Sequence, residues 1–518
     1  MPEPARPLLS LWWALPLAVI GGALLDVAFP DIGIWPLAFV AVALSLITLI
    51  GRSIGGAMLV GAAFAASFYL LHIEWITRYL GPVPWFALAG LETLLSSVAA
   101  ILLTLGYRWV PRLLPGSWSR VTVLPALIAG LWTAREQFLG SWPYTGFPWG
   151  RLGMSQAEGP LADLASWLGV SGLTFVMVFV VAAAIESVRM RVWRRIRLLV
   201  PAVAAATLLL VVPQFPTTDA GTLRVGAAQG NGPSAYFDER EPYAVFDAQM
   251  KATEALEGED LDVVLWPEGG IDADPLRNAA VGAALSQLSR NLDAPLIVNG
   301  ATERGENIYN TSVLWDAAQG PRALHDKVNP VPMGEYVPDR WFFEALVPDL
   351  IGLIQREYTP GSNAPFFDVD GVGVGLAICF DVIYDDVIWD GARDGAQVYM
   401  FQTNNADFRG TDENLQQLSF ARMRAIETGR SVVNISTVGT SQVIAPDGSV
   451  LDGLAADEAG ALLVDVPLRT GLTAAVVIGP AVQIVLGWAA IPVLLAFGIM
   501  LRRRTKAAPP TRGDAAEV

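Results

Sequence analysis

Among 518 residues there is one cysteine, Cys379, so no internal disulfide can form and the redox compartment cannot be read from cysteine pairing. Histidine is nearly as scarce. His72 and His325 lie far apart, and neither has a Cys or His at ligand spacing, which argues against a metal site. Charge is thin as well: 16% of residues, where a soluble globular chain carries about a quarter, while hydrophobic residues reach 53% and the mean hydropathy is +0.44. An ordinary soluble protein is thereby excluded. The charge that remains is mostly negative, with 50 Asp and Glu against 34 Lys and Arg. A net −16 disfavours nucleic acid as a partner, because a phosphate binder needs a basic face.

In place of charge the chain has long apolar runs. A helix crosses the hydrocarbon core in about 20 apolar residues. Candidates cover residues 8–29, 34–50, 54–71, 83–105, 121–138, 167–188 and 198–212, with an eighth, 472–501, alone near the C-terminus. The first is too long for a signal peptide, lacks an A-x-A-like exit and is followed at once by another run, so it reads as a span. Loop charge orients the set. Arg108, Arg112 and Arg120 separate the fourth and fifth spans; Arg189, Arg191, Arg194, Arg195 and Arg197 separate the sixth and seventh; Arg502, Arg503, Arg504 and Lys506 follow the eighth. Alternate loops such as "DVAFPDIGIWP" lack this excess. The positive-inside rule puts the basic segments and both termini in the cytoplasm, and everything between the last two spans outside it. The expected organisation is a seven-span bundle over 1–215, an extracytoplasmic domain over 216–468, an eighth span over 469–501 and a disordered cytoplasmic tail over 502–518. Within the spans, Glu92 and Glu186 are functional candidates because carboxylates are costly in hydrocarbon, although Glu186 sits where it can snorkel to the cytoplasmic surface. Glu74 and Arg78, and Arg135 and Glu136, fall near the outer surface, where lipid headgroups lie.

The segment between the last two spans has the pattern of a globular domain. "LRVGAAQ", "LDVVLWPE", "APLIVNG", "TSVLW", "GVGVGLAIC", "AQVYMFQ", "SVVNIS", "SQVIAP" and "ALLVDV" are short β-branched runs bounded by turn residues. Helical patterns over 241–256, 276–292 and 413–430 alternate with some of them, which indicates an α/β domain large enough for its own core. Loops at strand ends commonly furnish chemistry in such domains. "VVLWPEGG" places Glu268 after one strand, "LHDKVNPVPMGEYVP" places Lys327 and Glu335 in a proline-rich loop, and "GLAICFD" places Cys379 after another strand. Singly, each has an ordinary reading: a helix-capping carboxylate, a solvated lysine, a small buried hydrophobe. Jointly they form a set, because a thiol nucleophile needs a base for its proton and a cation that favours thiolate and oxyanion.

In this order, "WPE", "K…VPMGEYVP" and "ICFD" resemble the carbon–nitrogen hydrolase (nitrilase) superfamily, as do "AAQGN", "FQTNNADF" and "ARMRAIETGRSVVNISTVGTSQVIAPDGSV". "SWPYTGFPWGRLGMSQAEGPLADLASWLGVSGLTF", together with a hydrolase-like domain between the last two spans, is similar to the apolipoprotein N-acyltransferase family. The resemblance covers nearly the whole chain apart from the tail. It implies a polytopic α-helical membrane bundle of eight spans carrying an extracytoplasmic αββα sandwich. It also implies that Glu268 is the general base, Lys327 the oxyanion-stabilising lysine and Cys379 the nucleophile. Glu335 supports them, and the Phe380 backbone N–H is a second oxyanion donor. Candidate substrate contacts are Tyr236 or Phe237, Asp381 and Asn405. Against the better-known enterobacterial pattern of the family, Phe380 stands in place of tyrosine and Asp381 in place of glutamate, and Asp407 stands where the family often carries tryptophan.

The activity implied is ping-pong acyl transfer in the bacterial cytoplasmic membrane. A phospholipid donates an acyl group to Cys379, and the thioester passes it to the α-amine of a lipoprotein's N-terminal diacylglyceryl-cysteine, with no cofactor and no metal. Two alternatives stay open at this level. One is a membrane-tethered amidase or nitrilase with water as acceptor; the other is a non-enzyme, with a transporter bundle and a receptor domain.

Overall fold

The computed structural model of the chain describes residues 7–191 and 207–507. The expected 198–212 span and the end of the tail therefore fall largely outside the described residues. Apolar helices run over Leu11–Val27, Leu37–Leu49, Ile54–His72, Pro82–Leu113, Val123–Leu139 and Ala165–Arg189, and a last helical stretch starts at Ala474. Four segments are long and apolar enough to cross a membrane: Ile54–His72, Pro82–Leu113, Ala162–Arg189 and Ala474–Arg504. Leu11–Val27 and Leu37–Leu49 are apolar but shorter. So among the described residues four of the eight expected spans have a helix of that length. The shortfall at the N-terminus has a physical cause: hydropathy counts apolar turn residues as span. Ala28 and Phe29 lie beyond the first helix yet are 1% exposed, tucked under the bundle. At the other end the Ala490–Ala507 helix continues past residue 501, where a disordered tail was expected to begin. Arg504 there donates to the Leu113 carbonyl at 3.2 Å, pinning two helix ends together.

The domain is built from two six-stranded sheets. The first has the order β12 (Gly460–Thr470), β1 (Thr218–Gln229), β2 (Val263–Leu265), β3 (Leu296–Arg304), β4 (Asn307–Asp316), β5 (Gly320–Asp326). The second has the order β11 (Val450–Leu454), β10 (Ser441–Ile444), β9 (Ser431–Ser436), β8 (Val398–Thr403), β7 (Val372–Ile378), β6 (Phe366–Val369). Parallel pairing joins β1 to β2 and β2 to β3 in one sheet, and β7 to β8 and β8 to β9 in the other. The inner faces meet through Val225, Leu265, Ile297, Leu376, Met400 and Val433, all buried. Helices Ala244–Thr253 and Ala279–Leu292 cover the outer face of the first sheet. The outer face of the second is covered by Asp385–Arg393 and Glu413–Thr428, giving four layers, α–β–β–α.

This last layer is also where the bundle docks. Trp149, Phe380, Trp389 and Phe420 belong to the same buried apolar cluster as the membrane-type helices. Polar ties reinforce it. Arg151, from the loop before Ala165–Arg189, meets Asp385 at 2.6 Å, and Asp385 meets Arg424 at 2.8 Å. Trp149 and Trp75 both donate to Gln416, at 2.7 and 3.3 Å. Gly169 breaks its helix with φ +70°, a conformation glycine adopts without penalty, and a side chain there would press on Glu427 and Trp389. Arg135 and Glu136, placed near headgroups by the sequence, serve the bundle interior instead. Glu136 accepts from Trp132, from the Leu152 backbone and from Thr174, at 2.9–3.1 Å. Glu186 pairs with Arg120 at 2.6 Å, in keeping with a structural role at a helix end.

Candidate active site

Three strand ends converge on one point. Glu268 follows β2 by three residues, Lys327 follows β5 directly and Cys379 follows β7 directly. The glycines of "GVGVGLAI" allow β7 to pack close: a Cβ on Gly375 would run into the Tyr399 ring. Cys379 itself has φ +50°, a left-handed conformation that non-glycine residues rarely adopt and that clusters at functional sites. The sharp turn ends the strand and directs the half-buried sulfur toward a cavity.

Lys327 is 1% exposed and held between two carboxylates, Glu268 at 3.0 Å and Glu335 at 2.8 Å. Asn310, on β4, donates to the same two, at 2.7 and 3.1 Å. Glu335 also accepts from the Val331 backbone at 2.7 Å, which folds the proline-rich loop back on itself. Gln417 donates to the Cys379 sulfur at 3.3 Å. Glu413, one turn earlier, is tied to Asn405 at 2.8 Å.

The two glutamates differ in character. Burial pushes Glu268 above the usual glutamate range, opposed in part by Lys327. Burial acts on Glu335 too, but Lys327 and the donated hydrogen bonds hold it below that range. Burial opposes the charge on Lys327, yet Glu268 and Glu335 hold it well above an ordinary lysine. Burial and the nearby Glu268 charge push the Cys379 thiol well up, so the resting sulfur is a thiol and not the thiolate that a neighbouring lysine suggests. Burial raises Glu413 to about 8, leaving it neutral at neutral pH. With one ammonium and two carboxylates the cluster carries −1. Proton transfer from Cys379 to Glu268 preserves that charge, whereas loss of the proton to water would make it −2.

The cavity has a volume of about 490 Å³ and lies between domain and bundle. Glu268, Lys327, Glu335, Cys379 and Phe380 line it from one side. From the other it is lined by Trp75, Tyr79 and the Pro84, Ala87, Leu88, Leu91 and Glu92 face of the Pro82–Leu113 helix. The remaining candidate contacts lie elsewhere. Asp381 is fully buried and accepts from Val328, from the Asn329 backbone and from the Asn329 side chain at 2.8–3.0 Å, so it braces the Lys327 loop from behind. Asn405 turns inward to Glu413, Gln417 and Ser436, while its neighbour Asn404 reaches the cavity. Tyr236 and Phe237 stand beside the mouth, each with its ring centroid 5.8 Å from that of Tyr79. Asn310, Gln417 and Glu413 were not anticipated from sequence. Their signal was available: polar residues in a buried strand, and a helix whose inward face carries Glu413, Gln416 and Gln417.

The apolipoprotein N-acyltransferase N-terminal domain pattern matches residues 21–183, and the carbon-nitrogen hydrolase pattern matches residues 224–474. The chain is 34% identical to the apolipoprotein N-acyltransferase of Mycolicibacterium smegmatis, over 93% of this chain and 84% of that protein. It is 28% identical to the one from Shewanella oneidensis, over 89% and 91%. Among solved structures, an amidase from Nesterenkonia sp. aligns with 48% of this chain and 92% of its own, at 20% identity and a TM-score of 0.38. Matched along most of its length by full-length relatives of that name, the chain belongs to the apolipoprotein N-acyltransferase family.

Proposed function

We propose that the chain moves an acyl group from a membrane phospholipid, through a thioester on Cys379, to the α-amine of a lipoprotein's N-terminal diacylglyceryl-cysteine. One observation carries this reading: the cavity joins the buried Glu268–Lys327–Glu335 cluster and the Cys379 sulfur to an apolar helix face. Acyl transfer needs the first and a lipid chain needs the second. The family to which the chain belongs supports the same pair of substrates.

In the first half-reaction Glu268 takes the Cys379 proton as sulfur attacks an ester carbonyl of the donor. The Lys327 ammonium and the Phe380 backbone N–H hold the oxyanion. Glu268 then returns the proton to the departing lysophospholipid, and the thioester remains. In the second half-reaction the lipoprotein amine attacks the thioester carbonyl. Glu268 takes the amine's proton and passes it to the leaving sulfur, which restores the thiol and releases the amide. Glu335 keeps Lys327 charged and in place. An apolar cavity also keeps water from the thioester.

The reading includes eight spans, both termini in the cytoplasm, a bundle over 1–215, a catalytic domain over 216–468 on the outer face and a final span over 469–501. The basic loops around Arg108, Arg191 and Arg503 support that orientation. So does the chemistry, since both substrates are anchored in the outer leaflet, and tethering the domain there raises their effective concentration. Supplying the purified full-length chain with acyl-labelled phospholipid vesicles and a synthetic diacylglyceryl-cysteinyl peptide is expected to yield amide and lysophospholipid in equal amounts. Free fatty acid in place of the amide would make it a hydrolase, and no acyl release at all would overturn the enzymatic reading.

A further inference from the structure

Seven ionisable side chains line the cavity among the described residues: Glu92, Glu268, Glu335, Asp407, Glu413, Lys327 and Arg356. The cations are placed very differently. Lys327 is consumed by two carboxylates. Arg356, in the loop before β6, forms no ion pair within 4.0 Å and donates no hydrogen bond within the chain among the described residues. The two carboxylates whose charge reaches it are engaged elsewhere: Glu335 pairs with Lys327 at 2.8 Å, and Asp407 accepts the Tyr236 backbone N–H at 2.7 Å.

What Arg356 has is a platform. Its guanidinium carbon lies 4.3 Å from the Tyr236 ring centroid. That ring is fixed at both ends: the backbone by Asp407, the hydroxyl by the Gln355 N–H at 2.8 Å and the Leu353 carbonyl at 3.3 Å. Tyr79 packs edge-on against it and is itself held by the Gly334 carbonyl at 3.2 Å. A guanidinium stacked on a braced aromatic ring keeps its N–H fork free and oriented, which is the geometry that recognises a phosphate by two hydrogen bonds.

We propose that Arg356 binds the phosphodiester of the acyl donor, with Tyr236 as the residue that positions it. This rests on the reading that a phospholipid loads Cys379. A glycerophospholipid carries one anionic phosphate, joined through glycerol to the ester that sulfur attacks. The reacting end of the acceptor is an amine on a diacylglyceryl-cysteine and carries no phosphate. Arg356 therefore acts in the first half-reaction and not in the second. It also gives Tyr236 a definite place: the ring works through the guanidinium rather than by touching lipid.

The test separates the two half-reactions and two donors. The full-length wild type, Arg356→Ala and Arg356→Lys are each loaded either from phosphatidylglycerol vesicles or from p-nitrophenyl palmitate, an acyl ester with no phosphate, and Cys379 thioester is followed by mass. Arg356→Ala is expected to slow loading from phospholipid by at least about tenfold, the loss of a charged hydrogen bond. It should leave loading from the nitrophenyl ester unchanged, and transfer from preloaded thioester to the lipopeptide likewise. Arg356→Lys should fall between. Equal loss with both donors, loss confined to the second step, or no loss overturns the assignment to phosphate. Wild type that loads from the nitrophenyl ester but never from phospholipid overturns instead the donor reading on which the assignment rests.

Discussion

At the scale of single residues, the two glutamates that flank Lys327 are pushed in opposite directions, Glu268 above the usual glutamate range and Glu335 below it. In the proposed mechanism Glu268 must be ionised to receive the Cys379 proton, and burial raises its pKa above the usual glutamate value. The rate of thioester formation should therefore fall with falling pH, along an acid limb that lies above that of an ordinary glutamate. A limb at or below the ordinary value would contradict the assignment of the base. Glu268→Gln should lower the rate by about a hundredfold or more, and Lys327→Ala by about 10²–10³-fold, with membrane insertion normal in both. Asp381→Ala should reduce kcat while leaving the mass of any acyl adduct unchanged, because Asp381 acts through Val328 and Asn329, whose backbone N–H groups and Asn329 side chain it holds. Glu268, Lys327 and Cys379 were legible because each follows a recognisable strand or lies in an unmistakable loop. Asn310 and Gln417 left a weaker signal, polar residues on the inward side of a buried strand and helix, which does not by itself say what they meet. Asn404 and Asn405 show how fine the margin is: one step along the chain separates the cavity from the interior.

At the scale of elements, the nine apolar runs read from sequence all correspond to strands. The strands that escaped, β5, β6 and β11, occupy three of the four sheet edges. An edge strand is less buried and is selected less strongly for apolar content, and "VLDGL" in β11 is exposed along nearly its whole length. Helix bounds suffered from the opposite error, since apolar turns were counted as membrane. The element that joins the two parts is the Asp385–Arg393 helix, whose first residue ties Arg151 of the bundle to Arg424 of the domain. Burial acts against the Asp385 charge, but the two arginines depress its pKa from 3.8 to about 2. Its contribution is therefore fully present above the unfolded value and lost as pH falls through about 2. Asp385→Ala removes the carboxylate that two buried guanidinium groups share, leaving Arg424 its pair with Glu427 but Arg151 no ion pair among the described residues. The break should cost about 3–5 kcal/mol, read as a lowered unfolding midpoint. An unchanged midpoint would mean that the apolar contacts alone hold the two parts together.

At the scale of the whole molecule, a carbon–nitrogen hydrolase domain is joined to a helical bundle, and the cavity lined by Glu268, Lys327 and Cys379 sits at the joint between them. Neither part alone encloses the cavity. The sequence carried this arrangement only as an order of segments, because contacts such as Trp149 with Gln416 or Arg151 with Asp385 span more than 200 positions of chain. The proposed orientation has its own check. In a Cys379→Ala background, Glu259→Cys places a thiol at an exposed site of the domain. A membrane-impermeant maleimide should label it in intact spheroplasts, and labelling only after lysis would invert the topology.

The most direct measurement is the mass of the Cys379 peptide after the purified chain meets phospholipid vesicles. One acyl group is expected on the sulfur, stable in buffer and discharged when a diacylglyceryl-cysteinyl peptide is added. An unmodified Cys379 peptide in protein that nonetheless produces acylated peptide would show that the acyl group never rests on the sulfur.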